Sequence, residues 1–235
     1  SPARMQVIMD ALKENGLDRV LEYRLSPEAT EEDIRRVHTQ DMILKVKNDI
    51  PAPGDYSYVD ETPLNQYSWQ AALRTTGAAV AATDAVLAGE IENAFCIERP
   101  IGHHSTIGEA MGFCVFNNIA IAAMRAIKIH GLKSVAIVDI DVHHGNGTEY
   151  IFSYEPSVLM VSYYQEYLYP FCGNEKARAN MVNVPVPKGT GGDVIRKVVT
   201  EKWLPALHKH KPEMIFISAD FDAHRDDPLG DMNLV

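Results

Sequence analysis

The chain has 235 residues, 46% of them hydrophobic and 23% charged, which is enough to bury the core of one large α/β domain. A net charge of −10 and a pI near 5.3 exclude a basic nucleic-acid footprint and leave cationic substrates admissible. Cys96, Cys114 and Cys172 lie too far apart for a disulfide framework, no run reaches transmembrane length, and no signal peptide is evident. A cytoplasmic protein with neither membrane nor direct nucleic-acid partner is expected, homo-oligomers being allowed. The chain opens on Ser1-Pro2-Ala3-Arg4 without Met and stops at Val235 just past a candidate site loop, so it reads as a piece of something longer.

In chain order, residues 4–22 carry a helical apolar stripe broken at Gly16, and Thr30 to Asp33 resembles a capping box before Ile34, Val37, Met42, Ile43 and Val46. Residues 51–63 read as a polar loop. Ser68 is placed to cap a helix over 68–88, ended by Gly89, whose many small residues allow close approach to a sheet. Asn93–Glu98 is expected as a short strand that delivers His103 and His104 at its carboxyl end. A helix follows over about 117–130, then a strand from Val135, a helix near 147–152, a strand at Val158–Ser162 and an irregular aromatic segment, Tyr163–Asn180. Asp193 is placed to cap a helix carrying Val194, Val198 and Leu204, which Pro205 must kink or shorten, and Glu213–Ser218 is a last buried strand. Repeated β–α alternation argues for an α/β fold, a mostly parallel sheet flanked by helices, in a single domain over 1–235.

The chemistry gathers where strands end. Val135–Val138 runs into Asp139, Asp141, His143 and His144 before Gly145-Asn146-Gly147 turns the chain. Alternate residues of a strand share a face, so two carboxylates and an imidazole point together at the strand end, where open α/β sheets bind ligands. Such a cluster is costly unless a cation neutralises it. With Asp222, which follows the last strand, Asp141 and His143 supply the three ligands a catalytic zinc needs, and the oxygen-rich set also suits iron(II) or manganese(II). His103 and His104 are then left as an acid and a base beside the activated water, with Asp139 as an orienting carboxylate.

These residues stand in four ordered motifs: R-P-x-G-H-H at 99–104, G-F-C-x-F-N-N at 112–118, V-D-x-D-x-H-H-G-x-G at 138–147 and F-D-A-x-x-x-D-P-L-G at 221–230. Together they resemble the zinc-dependent histone deacetylase family, on the class II and bacterial amidohydrolase side that includes acetylpolyamine amidohydrolases. Glu31–His38 and the opening Ser-Pro-Ala-Arg match as well, so the resemblance spans nearly the whole chain. It implies a three-layer arginase/deacetylase-like fold whose C-terminal strands lie outside this sequence. It implies Asp141, His143 and Asp222 as zinc ligands, His104 as general base and His103 as its acid or electrostatic partner. Asp139 and Asn146 would hydrogen-bond His103 and His104 respectively. Gly112, Phe113 and Tyr169 would line an acyl-lysine tunnel, and a structural potassium or sodium ion would take Asp139, Asp141, His143 and Ser162. The substrate implied is an acetylated lysine side chain or an acetylated polyamine.

Three departures stand out. Asn146 occupies a position where relatives often carry Asp, and Asp220 one where glycine is expected. The tyrosine that follows a Gly-Gly pair in such deacetylases is absent, since Gly191-Gly192 runs into Asp193; one lost oxyanion donor costs about 10²–10³ in rate. Two other functions are therefore weighed: a non-catalytic acetyl-lysine or protein-binding module, and a binuclear manganese ureohydrolase, which lacks its extra acidic ligand after His143. Packing is the alternative for Phe113 and Tyr169. Cys114 is expected to be a packing residue, and His130, His208 and His210 solvated.

Overall fold

The structure, a computed structural model, describes residues 3–173 and 178–235. Helix α1, Ala3–Glu14, ends before Gly16, whose φ of 69° lets the chain turn back into a single 3-10 turn at Leu17–Arg19. No residue of α1 is buried. The capping box forms: the Thr30 hydroxyl accepts from Asp33 N–H while the Asp33 carboxylate accepts from Thr30 N–H. That box starts only a four-residue helix, α2, Glu31–Ile34, and Thr39 caps a second one, α3, Gln40–Asn48.

The segment read as loop 51–63 holds part of a small antiparallel hairpin, β1 (Ser57–Val59) with β2 (Thr62–Leu64). Helix α4, Ser68–Leu87, carries the expected small-residue face, with Ala72, Thr75, Thr76, Gly77 and Ala78 buried. Its main partner is α5, Asn118–Lys128, which in turn meets β3 and β6 of the sheet.

Four parallel strands form the sheet, in the order β5-β4-β3-β6: Met181–Val186, Val158–Gln165, Val135–Asp139 and Met214–Ser218. Register aligns Asp139 with Ser162 on one side and Ser218 on the other. Val135, Ile137, Val158 and Met160 pack toward Ala120, Ile121 and Phe116 on one face. Ala136, Leu159, Val161 and Tyr163 pack toward Val198 and Trp203 on the other. Alternation along each buried strand thus separates two helical layers by one sheet, the expected three-layer α/β architecture.

Three expectations need correction. Asn93–Glu98 forms no strand and has no ladder partner among the described residues; Phe95 is 57% exposed. Tyr163–Asn180 is partly regular, since β4 continues to Gln165, and β5 was not foreseen; residues 174–177 of that segment lie outside the described residues. Gly191, not Asp193, precedes helix α7 (Gly192–Val198), and as Pro205 requires, the regular α-helix is interrupted before it. A wide π turn over Val199–Trp203 absorbs the missing N–H before α8, Leu204–His210. Between β3 and β4 lies the expected short helix α6, Asn146–Phe152. Among the described residues no helix is long and apolar enough to cross a membrane.

Candidate active site

Strand β3 stops at Asp139, so face alternation alone does not bring Asp141 and His143 together. Two successive side-chain turns do. Asp139 Oδ1 accepts from Asp141 N–H at 3.2 Å, and Asp141 Oδ1 from His143 N–H at 2.7 Å. Asp222 arrives from the loop after β6 and is pinned by Val142 N–H, which donates to its Oδ1 at 2.8 Å. His143 Nδ1 then lies 2.9 Å from both Asp141 Oδ1 and Asp222 Oδ2.

One ligand atom from each of Asp141, His143 and Asp222 falls within 4.8 Å of the others. A single Nδ1–H cannot satisfy two carboxylates, so this donor set of two oxygens and one nitrogen fits a divalent cation. Its electrostatics point the same way. Burial opposes the charged form of His143, but Asp141 and Asp222 outweigh it and push the imidazole up to about 10. Asp222 is pushed up to about 6 by burial and then by Asp141, against the His143 hydrogen bond. Asp141, despite its burial, is held below the usual carboxylate range by His103 and His143.

His103 and His104 are buried, their ring centroids 4.0 Å apart, yet they stand on a loop and not at a strand end. His103 Nδ1 faces Asp139 Oδ2 at 2.9 Å. Its Nε2 is buried without a hydrogen-bond partner in the protein, with Asp141 Oδ2 at 3.4 Å. Burial works against His103's charge, but Asp141 and Asp139 prevail and push it up to about 9. His104 goes the other way: burial and the neighbouring His103 push it down to about 3, against the hydrogen bond to Asn146. Asn146 Oδ1 lies 2.8 Å from His104 Nδ1, and its Nδ2 donates to Met111 Sδ. That orientation places the ring hydrogen on Nδ1 and the lone pair on Nε2.

Of the three expected tunnel residues, Gly112 and Tyr169 lie against His104. Gly112 has φ 57°, and a Cβ there would sit 2.3 Å from the His104 ring. Tyr169 stands edge-on to His104 with centroids 5.0 Å apart and is 6.4 Å from the His143 ring. Phe113 is 61% exposed. Asp139 and Ser162, two of the expected monovalent-cation ligands, are register partners, with the Ser162 hydroxyl donating to Asn183 Oδ1.

This geometry has close counterparts. All 235 residues match the histone deacetylase domain. The chain belongs to the histone deacetylase family. It is 38% identical to the histone deacetylase-like amidohydrolase of Pseudomonas aeruginosa, covering all of this chain and 63% of that protein. It is 34% identical to the polyamine deacetylase HDAC10 of Rattus norvegicus, over 98% of this chain and 42% of that one. The crystal structure of the HDA15 HD domain superimposes with a TM-score of 0.90 at 34% identity, covering 100% of this chain and 69% of the other. The chain thus spans less than two thirds of the length of these curated relatives.

Some of this family site has no local signature in the sequence. Glu61, at the turn of the β1–β2 hairpin, accepts hydrogen bonds from Gly112 N–H and the Tyr169 hydroxyl, joining the two segments that lie against His104. Asp220 does not crowd the carboxylates unopposed: Arg4 of α1 binds both its oxygens. Cys114 is fully buried with its thiol pushed up by burial, consistent with packing. His130 and His210 are not simply solvated, since their Nε2 atoms meet Asp84 Oδ1 at 2.7 Å and Val135 O at 3.0 Å.

Proposed function

We propose that this chain is the catalytic core, one domain over 1–235, of a metal-dependent amidohydrolase that removes acetyl groups from acetyl-lysine in proteins or from acetylated polyamines. The observation that carries this reading is the placement of two adjacent histidines with opposite proton affinities against a buried Asp141–His143–Asp222 triad. Pairs of titratable groups pushed apart by their surroundings mark acid and base assignments.

Asp141, His143 and Asp222 would hold zinc, with iron(II) suiting the same donors, and Asp139, Asp141, His143 and Ser162 a potassium or sodium ion. The divalent ion, when bound, supplies Lewis-acid polarisation of an amide carbonyl and acidifies a water toward a pKa of ~7. His104 is neutral, holds its hydrogen on Nδ1 through Asn146, and offers Nε2 to the proton of the attacking water. His103 keeps its proton against Asp139 and is the acid or electrostatic partner as the amine leaves. Gly112 and Tyr169 leave a narrow, partly aromatic approach to His104, which suits a neutral acetamide that loses no charge on entry. The polyamine deacetylase among the relatives and the net charge of −10 favour including cationic polyamines as substrates.

The test is acetate release by the zinc-loaded chain from an acetyl-lysine peptide and from acetylated spermidine, beside Asp222→Ala. Release that disappears in the variant is expected, and the substrate ratio names the subclass. One bound zinc with no release from either substrate would move the reading to a binding module. Failure to bind metal would overturn the site.

A further inference from the structure

The histidine pair lacks the strand expected to carry it, so something else must fix its backbone. We propose that Asn117 is a positioning residue for the His103–His104 pair, acting through Ser105 and Thr148. Four hydrogen bonds engage it in the interior. The Nδ2 amide donates to Ser105 O at 3.1 Å and to Thr148 Oγ1 at 3.1 Å. Its Oδ1 accepts from Ala120 N–H at 3.1 Å, capping α5, and its backbone N–H donates to His38 Nε2 at 2.9 Å. Asn117, Ser105 and Thr148 have no exposed surface.

From this hub the connection runs to the histidines by main chain. Ser105 directly follows His104, and its hydroxyl donates to Val115 O at 2.9 Å, binding the loop to the segment before α5. Thr148 N–H donates to His103 O at 3.1 Å, and the Thr148 hydroxyl donates to the same oxygen at 3.5 Å. Thr148 shares α6 with Asn146, the partner of His104 Nδ1. Helix α6 therefore grips the pair twice, once at the His103 carbonyl and once at the His104 ring. Gly147 between them allows the approach, because a Cβ there would sit 2.3 Å from Ser105 O and 2.5 Å from His104 C and O. Asn117 joins the two sides: one amide fastens the loop through Ser105 and the helix through Thr148. A shift of either side would move the His104 ring relative to Asn146. Buried polar networks hold one geometry through their satisfied members; here these are Asn117, Ser105 and Thr148, while His38 Nδ1 has no hydrogen-bond partner among the described residues.

The catalytic meaning rests on the role proposed above for His104, but the geometry does not, so the experiment reads both. Thr148→Val is nearly isosteric and breaks the link on both sides, leaving one Asn117 N–H unpaired and removing the Thr148 hydroxyl that donates to His103 O at 3.5 Å; Thr148→Ser restores the hydroxyl. In ¹⁵N-histidine spectra of the zinc-loaded chain, the wild type should show His104 as one neutral tautomer with its hydrogen on Nδ1. T148V should show mixed tautomers with one zinc still bound, and kcat lower by roughly 10- to 100-fold at unchanged KM, the scale expected for a misplaced catalytic group. T148S should recover both. A T148V chain that melts earlier yet keeps the wild-type ring spectrum and kcat per bound zinc would reduce the network to a structural one and overturn the proposal. If the chain releases no acetate, the ring spectrum still decides. Should T148V not fold, amide exchange in the wild type decides: Thr148 N–H must exchange as slowly as the β3 amides, and faster exchange overturns the proposal.

Discussion

The site is assembled from two kinds of support. Its carboxylate side stands at the ends of β3 and β6, where five consecutive residue pairs of parallel ladder and two side-chain turns set Asp139, Asp141 and His143, and Val142 N–H holds Asp222. Its histidine side stands on a loop with no ladder, where His103 and His104 depend on Asn117, Asn146 and Thr148. The first kind rests on a backbone ladder, which an apolar β-branched sequence makes, extended by three carboxylates that accept main-chain N–H groups beyond its end. The second depends on individual side chains, each of which can be lost in one substitution. The three carboxylates therefore stand on the side with the ladder, and the histidine pair on the side without one.

Substitutions on each side should separate the two. Asp222→Ala should have the largest effect: zinc stoichiometry measured by atomic absorption falls from one to none, and acetate release with it. His104→Ala should keep one zinc and lower kcat by about 10²–10⁴, the range for a lost general base. If H104A also lost the metal, the two sides would be one coupled unit and the comparison would fail.

A stability measurement sharpens the contrast without any metal. His38 supports the histidine side by accepting the Asn117 N–H, and burial pushes it down to about 4. An unfolded histidine titrates near ~6.5, so below that pH the unfolded chain binds a proton that the folded chain refuses. Stability from His38 is complete above about pH 6.5 and drains as pH falls to about 4, by about 3 kcal/mol in all. Denaturant titrations with chelator at pH 7 and pH 4.5 should show this loss in the wild type and a smaller one in His38→Gln. Equal losses would mean that His38 is already accessible to protons in the fold.

The same division governs what the sequence disclosed. Val135–Asp139, helix α5 and the Thr30–Asp33 box were legible because each is written in consecutive residues, whereas the Asn117 cap of α5 was not read. So were the four motifs, and with them Asp141, His143, Asp222 and the histidine pair. Strand β5 was hidden by Asn183 and Pro185, residues tolerated there because it is an edge strand of the described sheet. Asn93–Glu98 carries the composition of a strand and lacks only a neighbour, which no local pattern reveals. Arg4 meets Asp220 across 216 positions, and Glu61 meets Tyr169 across 108. Contacts of that range are products of the fold and have no periodicity to read.

Glu61 gives the smallest and most selective test, because it touches the approach to the site without touching the histidines. Burial and then Glu61 push the Tyr169 phenol up, so the hydroxyl remains a donor to that carboxylate at any working pH. Removing the acceptor frees Gly112 N–H and the Tyr169 hydroxyl, on the two segments that lie against His104. Each is exposed enough to find water, so the cost should stay near the ~1 kcal/mol of one net hydrogen bond. Glu61→Ala should raise KM several-fold while kcat stays within a factor of about two, since only shared binding is lost. Glu61→Gln keeps an acceptor oxygen and should recover KM for an acetyl-lysine peptide. Acetylated spermidine carries positive charge on the rest of the molecule, so if the carboxylate also attracts it, E61Q should recover the peptide and not the polyamine. The ratio of the two KM values in E61Q thus separates a mechanical clamp from a charged rim, and a fall in kcat for either substrate would show that the histidine side feels the approach after all.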